Sequence, residues 1–381
     1  MKILFLSVPT GQGHHQAAKA VLEYFGKEES VECRFLDVVD NTSSILADSL
    51  QKGYLLSTTV TPKVYGTFYD IADKRDYSKS SGLGKFVKSI LNKKLNQYIE
   101  IYDPDIIVAT HIFSALAITY LQKKHPFRAK TVAVVTDFTI HPFWEDTVLD
   151  YYITASELLS FQMIKKGHAP EKIKPFGIPI RPCFAQSLPK DEARKLLGLK
   201  ERFTVLLMMG SMGYGNDTLS IVRTLDRMEE DFQLITVCGN NKRLKSRIDR
   251  MTKHKTILNF GYSNEICTLM DAADCIITKP GGLSTSEALA KGLPMIIADP
   301  IPGQEDRNKE FLLNNGVALA VSSTFPVTEA VYQLLHYDFK SEAMRRNMEH
   351  FAKPHAVSSL GEFMMSLAAN KAEDSKNPPI E

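Results

Sequence analysis

Short runs that are apolar on both faces alternate along most of the chain with stretches whose apolar residues recur at helical spacing. The first run, Ile3 to Val8, leads into a helical pattern from about His14 to Phe25. Asp105–Thr110 (DIIVAT), Thr131–Phe138 (TVAVVTDF) and Tyr151–Ser156 (YYITAS) follow. A strand apolar on both sides is covered on both faces, as in a parallel sheet held between helix layers. Strands separated by helices predict βαβ units and doubly wound α/β sheets. Near Phe176 the texture changes. FGIPIRPCF carries two prolines and a glycine, and the helical DEARKLLGL comes after it. A second α/β series opens at FTVLLMMGSMGYG and continues through QLITVCG, TILNFG, CIITKPGG and PMIIADP. The expected hinge lies near Gly177–Pro189. It separates a Rossmann-like domain over 1–180 from a second over 181–350, the two facing across a cleft. Residues 351–381 read as a C-terminal helix, from about His355 to Ala369, that packs back on the first domain and ends in a frayed polar tail.

A length of 381 residues suits two domains. The net charge of +2 argues against a nucleic-acid binder, which carries a larger basic excess. No apolar stretch reaches the roughly 18 residues that cross a bilayer, and the N-terminal run is too short for a signal peptide. These features predict a cytoplasmic protein, at most bound to a membrane surface. The five cysteines, at positions 33, 183, 238, 267 and 275, form no CxxC pair and no zinc spacing, so buried reduced thiols and no metal are expected.

In such sheets ligands bind beyond the carboxyl ends of the strands, so chemistry is sought in the loops there. After the first strand comes Pro9-Thr10-Gly11-Gln12-Gly13-His14-His15. Its glycines let backbone approach a ligand, and a helix N-terminus stands behind them. It is neither a dinucleotide fingerprint nor a Walker loop. A neutral His14 there can take a proton from a hydroxyl nucleophile, its pKa lowered by the positive helix end. The competing reading is a cap at His14 and a solvated His15. In the second half, Gly210-Ser211-Met212-Gly213 mirrors this loop and suits a diphosphate. The stretch Thr278-Lys279-Pro280-Gly281-Gly282-Leu283-Ser284-Thr285-Ser286-Glu287 is more specific. Ser284 and Glu287 match a capping box, and the same helix start suits phosphate, with Glu287 reaching ribose hydroxyls. The polar loop Asp299–Asn308 suits a sugar. Asp137 ends a predicted strand and should face the cleft, where His141 and Trp144 could help bind an acceptor; Trp144 could equally anchor its loop.

These segments resemble a known family. GQGHHQAA, PDIIVATH, TDFTIHPFW, GIPIRPCF, VCGNNKRL, ITKPGGLSTSEALAKGLPMI and PIPGQEDRN run in order from residue 11 to residue 308. Together they are similar to the monogalactosyldiacylglycerol synthases and processive diacylglycerol glucosyltransferases, relatives of the MurG-type transferases. The resemblance implies a GT-B fold and an inverting transfer from a UDP-hexose, glucose or galactose, to the hydroxyl of diacylglycerol. It implies His14 as general base, with Gly13 of the same loop binding the UDP-sugar. It places Tyr262 at the uracil and Glu287 at the ribose. Gly281, Gly282, Ser284 and Thr285 fall on the phosphate turn, and Gln304, Glu305 and Asn308 on the hexose loop. No cofactor or metal is implied; Asp103-Pro104-Asp105 reads as turn chemistry. The alternatives are a UDP-sugar 2-epimerase-like enzyme and a non-catalytic nucleotide-sugar-binding protein.

A lipid acceptor requires contact with a bilayer. Lys74–Tyr98 is rich in lysine. Lys85, Lys88, Lys93 and Lys94, with Phe86 on the apolar stripe, read as a basic amphipathic helix for an anionic, cytoplasmic-face membrane surface. The competing reading packs that stripe on the core.

Overall fold

The computed structural model describes residues 1–8, 12–26, 28–38, 93–210 and 218–374. Of residues 12, 93, 94 and 370–374 it describes the backbone only. The chain divides into two compact units. The first comprises Met1–Pro182, Pro302–Gln304 and His355–Glu381; the second comprises Cys183–Ile301 and Glu305–Pro354. The observed boundary thus falls at 182/183, and the first unit also takes a short piece of the Asp299–Asn308 loop.

The first unit begins with β1 (Lys2–Ser7), α1 (Gln12–Phe25) and β2 (Glu32–Asp37). After them come α2 (Lys93–Tyr102), β3 (Ile106–Ala109), α3 (Ile112–Lys124) and β4 (Lys130–Val134), then β5 (Tyr151–Ile153), α4 (Ser160–Lys165) and β6 (Ile173–Lys174). Its six strands are ordered β2-β1-β3-β4-β5-β6 and all neighbours are parallel. Ile3–Leu6 and Ile106–Ala109 are fully buried, which accounts for their unbroken apolar sequence. The order reverses direction between β1 and β3, so the loops after these two strands part on either side of a switch point.

The second unit begins with α5 (Lys190–Leu196), β7 (Thr204–Met208), α6 (Thr218–Asp226), β8 (Gln233–Val237) and α7 (Lys242–Asp249). It continues with β9 (Ile257–Phe260), α8 (Ile266–Ala272), β10 (Cys275–Thr278) and α9 (Gly282–Ala290). β11 (Met295–Ile297), α10 (Gln304–Asn314), β12 (Ala318–Ala320), α11 (Val327–His336) and α12 (Asp338–Glu349) complete it. Its six strands are ordered β12-β11-β10-β7-β8-β9, again all parallel, with the switch point between β7 and β10.

The last helix, α13 (Ala356–Asp374), groups with the first unit and lies against α1. Val357, Leu360, Met364 and Leu367 enter the core formed by β1, β3 and α1. The contact is close at Gly361, where an added Cβ would lie 2.2 Å from Tyr24 Cε1.

Three strands depart from the expected series: β2, β6 and β12. Each is an edge strand. β2 (ECRFLD) has no fully buried residue, so its sequence carries no continuous apolar run. A second departure concerns the cysteines. Cys183 and Cys267 form a disulfide across 84 residues of sequence, while Cys33, Cys238 and Cys275 are free. The fold brings the pair together because α8, which carries Cys267, packs on α5 just beyond Cys183.

Lys85, Phe86 and Lys88 lie outside the described residues, as does Ser211. The backbones of Lys93 and Lys94 form the first turn of α2. Farther along, Leu95, Ile99 and Tyr102 turn that helix's apolar side into the core. No described helix is long and apolar enough to cross a membrane.

Candidate functional site

In the first unit, the loops at the switch point bring His14 and Thr110 together. His14 lies in the first turn of α1, after β1; Thr110 directly follows β3. His14 Nδ1 is 2.9 Å from the Thr110 carbonyl oxygen and 2.7 Å from Thr136 Oγ1, just beyond β4. A carbonyl oxygen can only accept, so Nδ1 carries the proton and Nε2 carries the lone pair. The His14 pKa is lowered to about 4, chiefly by burial; the Thr110 hydrogen bond opposes this and His15 adds to it. Burial thus keeps the ring neutral at physiological pH.

His111 stands beside it, with ring centroids 4.5 Å apart and the rings edge-on. Its Nδ1 accepts the Phe113 N–H at 3.1 Å and so caps α3, which leaves the ring proton on Nε2. Burial pushes its pKa well below the usual histidine value, with His14, His141 and His15 acting in the same direction. His141 repeats the pattern: its Nδ1 accepts the Phe143 N–H at 3.0 Å. The site therefore sets one imidazole with a lone pair on Nε2 beside others with an N–H there. Ser7 Oγ, Thr110 Oγ1 and Ser114 Oγ are buried around the same strand ends without a hydrogen-bond partner among the described residues.

Asp137 is half-buried and accepts a hydrogen bond from Gln304, whose segment belongs to this unit. Trp144 is 4% exposed and stands edge-on to Tyr152. Its carbonyl takes hydrogen bonds from Thr147 Oγ1 and His168 Nε2. It anchors the loop rather than offering its ring to an acceptor. His15 is not the solvated residue of the competing reading. Its Nε2 lies 3.5 Å from Asp37 Oδ2 and its ring packs on Phe35, so it holds α1 to β2. Gly13 sits one residue before His14 in the first turn of α1.

His111 has no role in the sequence reading, although it closes the quoted segment PDIIVATH. The signal lay in its position, directly beyond an all-apolar strand. In the DxD string Asp103 holds φ 47° between α2 and β3, and the Asp105 carboxylate accepts the Lys2 N–H at 2.9 Å. No cluster of metal-ligating side chains occurs among the described residues.

In the second unit the loops after β7 and β10 flank the switch point. Gly210, at the end of β7, has φ 83°, a left-handed conformation that glycine adopts without penalty. Beyond β10 the helix α9 starts at Gly282, with Gly281 as its cap. The expected Ser284–Glu287 capping box is therefore absent. The Pro280-Gly281 turn lets the helix begin early, so Ser284 lies in the first turn and Glu287 in the second. Glycine at the cap makes no side-chain hydrogen bond to the first-turn N–H groups, and a helix start of this kind suits an anion. Thr285 Oγ1 is buried and lacks a partner among the described residues. Glu287 is 8% exposed.

Residues of the Asp299–Asn308 loop return to this turn. Asn308, fully buried, donates from Nδ2 to the Pro280 carbonyl at 3.0 Å. Glu305 accepts the Ile301 N–H at 2.6 Å, and its Oε1 lies 3.8 Å from where a Gly281 Cβ would stand. Asp299, a non-glycine residue, holds φ 47° at the head of the loop. Such strain, worth about 1–3 kcal/mol, clusters at ligand-holding sites. Tyr262 follows β9 on the same sheet edge and is 55% exposed.

Comparison with known proteins fits this division. The sequence profile described as monogalactosyldiacylglycerol (MGDG) synthase matches residues 14–180, and that of glycosyl transferases group 1 matches 189–353. The chain is 30% identical over 366 residues to the processive diacylglycerol beta-glucosyltransferase of Bacillus pumilus, covering 94% of this chain and 93% of the relative. It is 29% identical to the Bacillus subtilis protein of the same name, covering 98% of each. Among solved structures, Acinetobacter baumannii MurG aligns with a TM-score of 0.62 at 13% identity, covering 96% of this chain and 99% of that one. Neisseria meningitidis UDP-GlcNAc 2-epimerase aligns at 0.57 and 14% identity, covering 96% and 100%. These structural likenesses establish a GT-B fold and nothing finer.

Proposed function

The chain belongs to the family of processive diacylglycerol beta-glucosyltransferases, and from that premise we propose how its residues share out an inverting hexose transfer from a UDP-sugar to the hydroxyl of diacylglycerol. It is a hexosyltransferase that makes a glycosyldiacylglycerol; the relatives' names favour glucose as the sugar. The epimerase alternative rests on fold alone, since the sequence relatives are transferases.

The observation that carries the mechanism is the His14 tautomer. With Nδ1–H held by the Thr110 carbonyl, Nε2 is the nitrogen free to accept a proton. His14 takes the proton of the acceptor hydroxyl as its oxygen attacks the anomeric carbon. The bond from that carbon to the UDP oxygen breaks, and UDP leaves with the electron pair. Such general-base assistance is worth about 10²- to 10⁴-fold. His111, carrying its proton on Nε2, donates to an acceptor oxygen and orients it. Asp137 and His141 line the acceptor side.

UDP is held by the second unit. The N–H groups at the start of α9, with Gly281, Gly282, Ser284 and Thr285, bind the diphosphate and stabilise the charge that develops on it. Gly210 and Ser211 supply the companion loop, Glu287 binds the ribose, and backbone next to Tyr262 binds uracil. Gln304 and Glu305 bind the hexose, while Asn308 braces the loop that carries them. Transfer needs no resident metal in this scheme. Diacylglycerol lies in a bilayer, so the enzyme works peripherally at an anionic membrane surface, to which Lys85, Phe86, Lys88, Lys93 and Lys94 contribute.

Purified protein is incubated with labelled UDP-glucose, UDP-galactose or UDP-N-acetylglucosamine and diacylglycerol vesicles. Label should enter lipid from UDP-glucose, in β linkage. Label entering no lipid from any donor would reject the assignment.

A further inference from the structure

The turn Glu157–Leu159 and α4 run on as one helical segment from the carboxyl end of β5. Leu159 and Met163, one helical turn apart, are fully buried and fix the segment to its unit. Its outer side is apolar as well. Leu158, Phe161 and Ile164 are 53%, 69% and 44% exposed, and their spacing of three sets them along one stripe. Single exposed apolar residues are ordinary; here three stand together along one stripe, beside two lysines. Lys165 places its ammonium 5.6 Å from the Phe161 ring centroid, and Lys166 follows. Glu157, at the opposite end, is the only carboxylate of the segment from 157 to 166.

The segment is tied to the acceptor loop, because the Ile140 N–H donates to Gln162 Oε1 at 3.2 Å. β5 is parallel to β1, β3 and β4, so the segment springs from the sheet edge that carries His14, Thr110 and Thr136.

We propose that Leu158, Phe161 and Ile164 form a bilayer-docking face, with Lys165 and Lys166 as its cationic collar. The occupant is a lipid surface carrying anionic headgroups. Apolar side chains enter the boundary between headgroups and acyl chains while the lysines meet phosphate, as in interfacial helices. The placement supplies the reason. A diacylglycerol hydroxyl stays near the headgroup plane, so the edge bearing the base must be brought to that plane. This inference rests on the diacylglycerol reading and adds a second contact region to the lysine-rich stretch.

The full-length triple variant Leu158→Ser, Phe161→Ser, Ile164→Ser tests it by cosedimentation with phosphatidylcholine–phosphatidylglycerol vesicles. Vesicle affinity should fall by about tenfold or more, with melting temperature and UDP affinity unchanged. Turnover should be lost on vesicle-borne diacylglycerol and kept on a short-chain, water-soluble one. A second variant, Phe161→Trp, should show a blue-shifted emission on vesicle addition beyond that of Trp144 in the unmodified protein. Unchanged vesicle affinity of the triple variant, or no shift of the new tryptophan, overturns the docking face. A wild-type protein that glycosylates neither acceptor overturns the diacylglycerol reading instead, and the vesicle measurements still decide the face.

Discussion

The two units carry the same kind of sheet, but they fill their switch points with different material. In the first, side chains do the work: His14, His111 and Thr136 converge on strand ends, and a backbone carbonyl selects the tautomer. In the second, the side chains withdraw. Gly281 caps a helix that starts at Gly282 without a side-chain hydrogen bond, and Asn308 uses its amide to brace the turn. The difference follows from the ligands each is proposed to serve. Removing a proton requires a titratable group of defined protonation, whereas a diphosphate is best met by bare N–H groups aligned with a helix dipole.

That contrast can be broken by substitution. The largest expected effect is in the first unit: His14→Ala should lower kcat by about 10²- to 10⁴-fold, measured at saturating UDP-glucose. In the second, Glu287→Gln should weaken UDP binding by about tenfold while kcat at saturation changes less, read by calorimetry and steady-state kinetics. Gly361→Ala forces a Cβ against Tyr24; it should cost about 1–3 kcal/mol in a denaturant titration, confined to the first unit. Thr136→Val removes one of the two oxygens at His14 Nδ1 and should cost about three- to tenfold in kcat without moving the UDP affinity.

Acid should separate the units as well. The pKa values of His14, His111 and His168 are all depressed, with burial the leading cause, and all three lie in the first unit. An unfolded histidine protonates near about 6.5. Below that pH the unfolded chain binds protons that the folded unit refuses, so stability falls with acidification. For His14 the loss runs from about 6.5 down to about 4. Thermal melts recorded across that window should show the first unit's transition moving down ahead of the second's. A single transition that does not move would contradict the burial of these rings.

Much of this was legible in the sequence because of where the strands lie. β1, β3, β7, β8 and β10 are sheet-interior and almost wholly buried, so apolar residues dominate them. Three of the four edge strands, β2, β6 and β12, escaped notice: β2 has no buried residue, and β6 and β12 are only two and three residues long. His14 and the glycine turn could be found from loops after strands. The Thr110 carbonyl could not, since it meets His14 only through the pairing of β1 with β3, 96 residues apart. The capping box misled because S-x-x-E also occurs inside a helix whose Pro-Gly turn starts it sooner. The disulfide depended on α8 packing against α5, which cysteine spacing does not encode.

The most direct test of the division of labour is a calorimetric titration of UDP into the His14→Ala protein beside the unmodified one, with turnover measured on the same samples. The predicted result is equal UDP affinity with turnover reduced at least about a hundredfold. Turnover that survives, or UDP affinity that falls in step with it, would contradict the assignment of base chemistry to the first unit and nucleotide binding to the second.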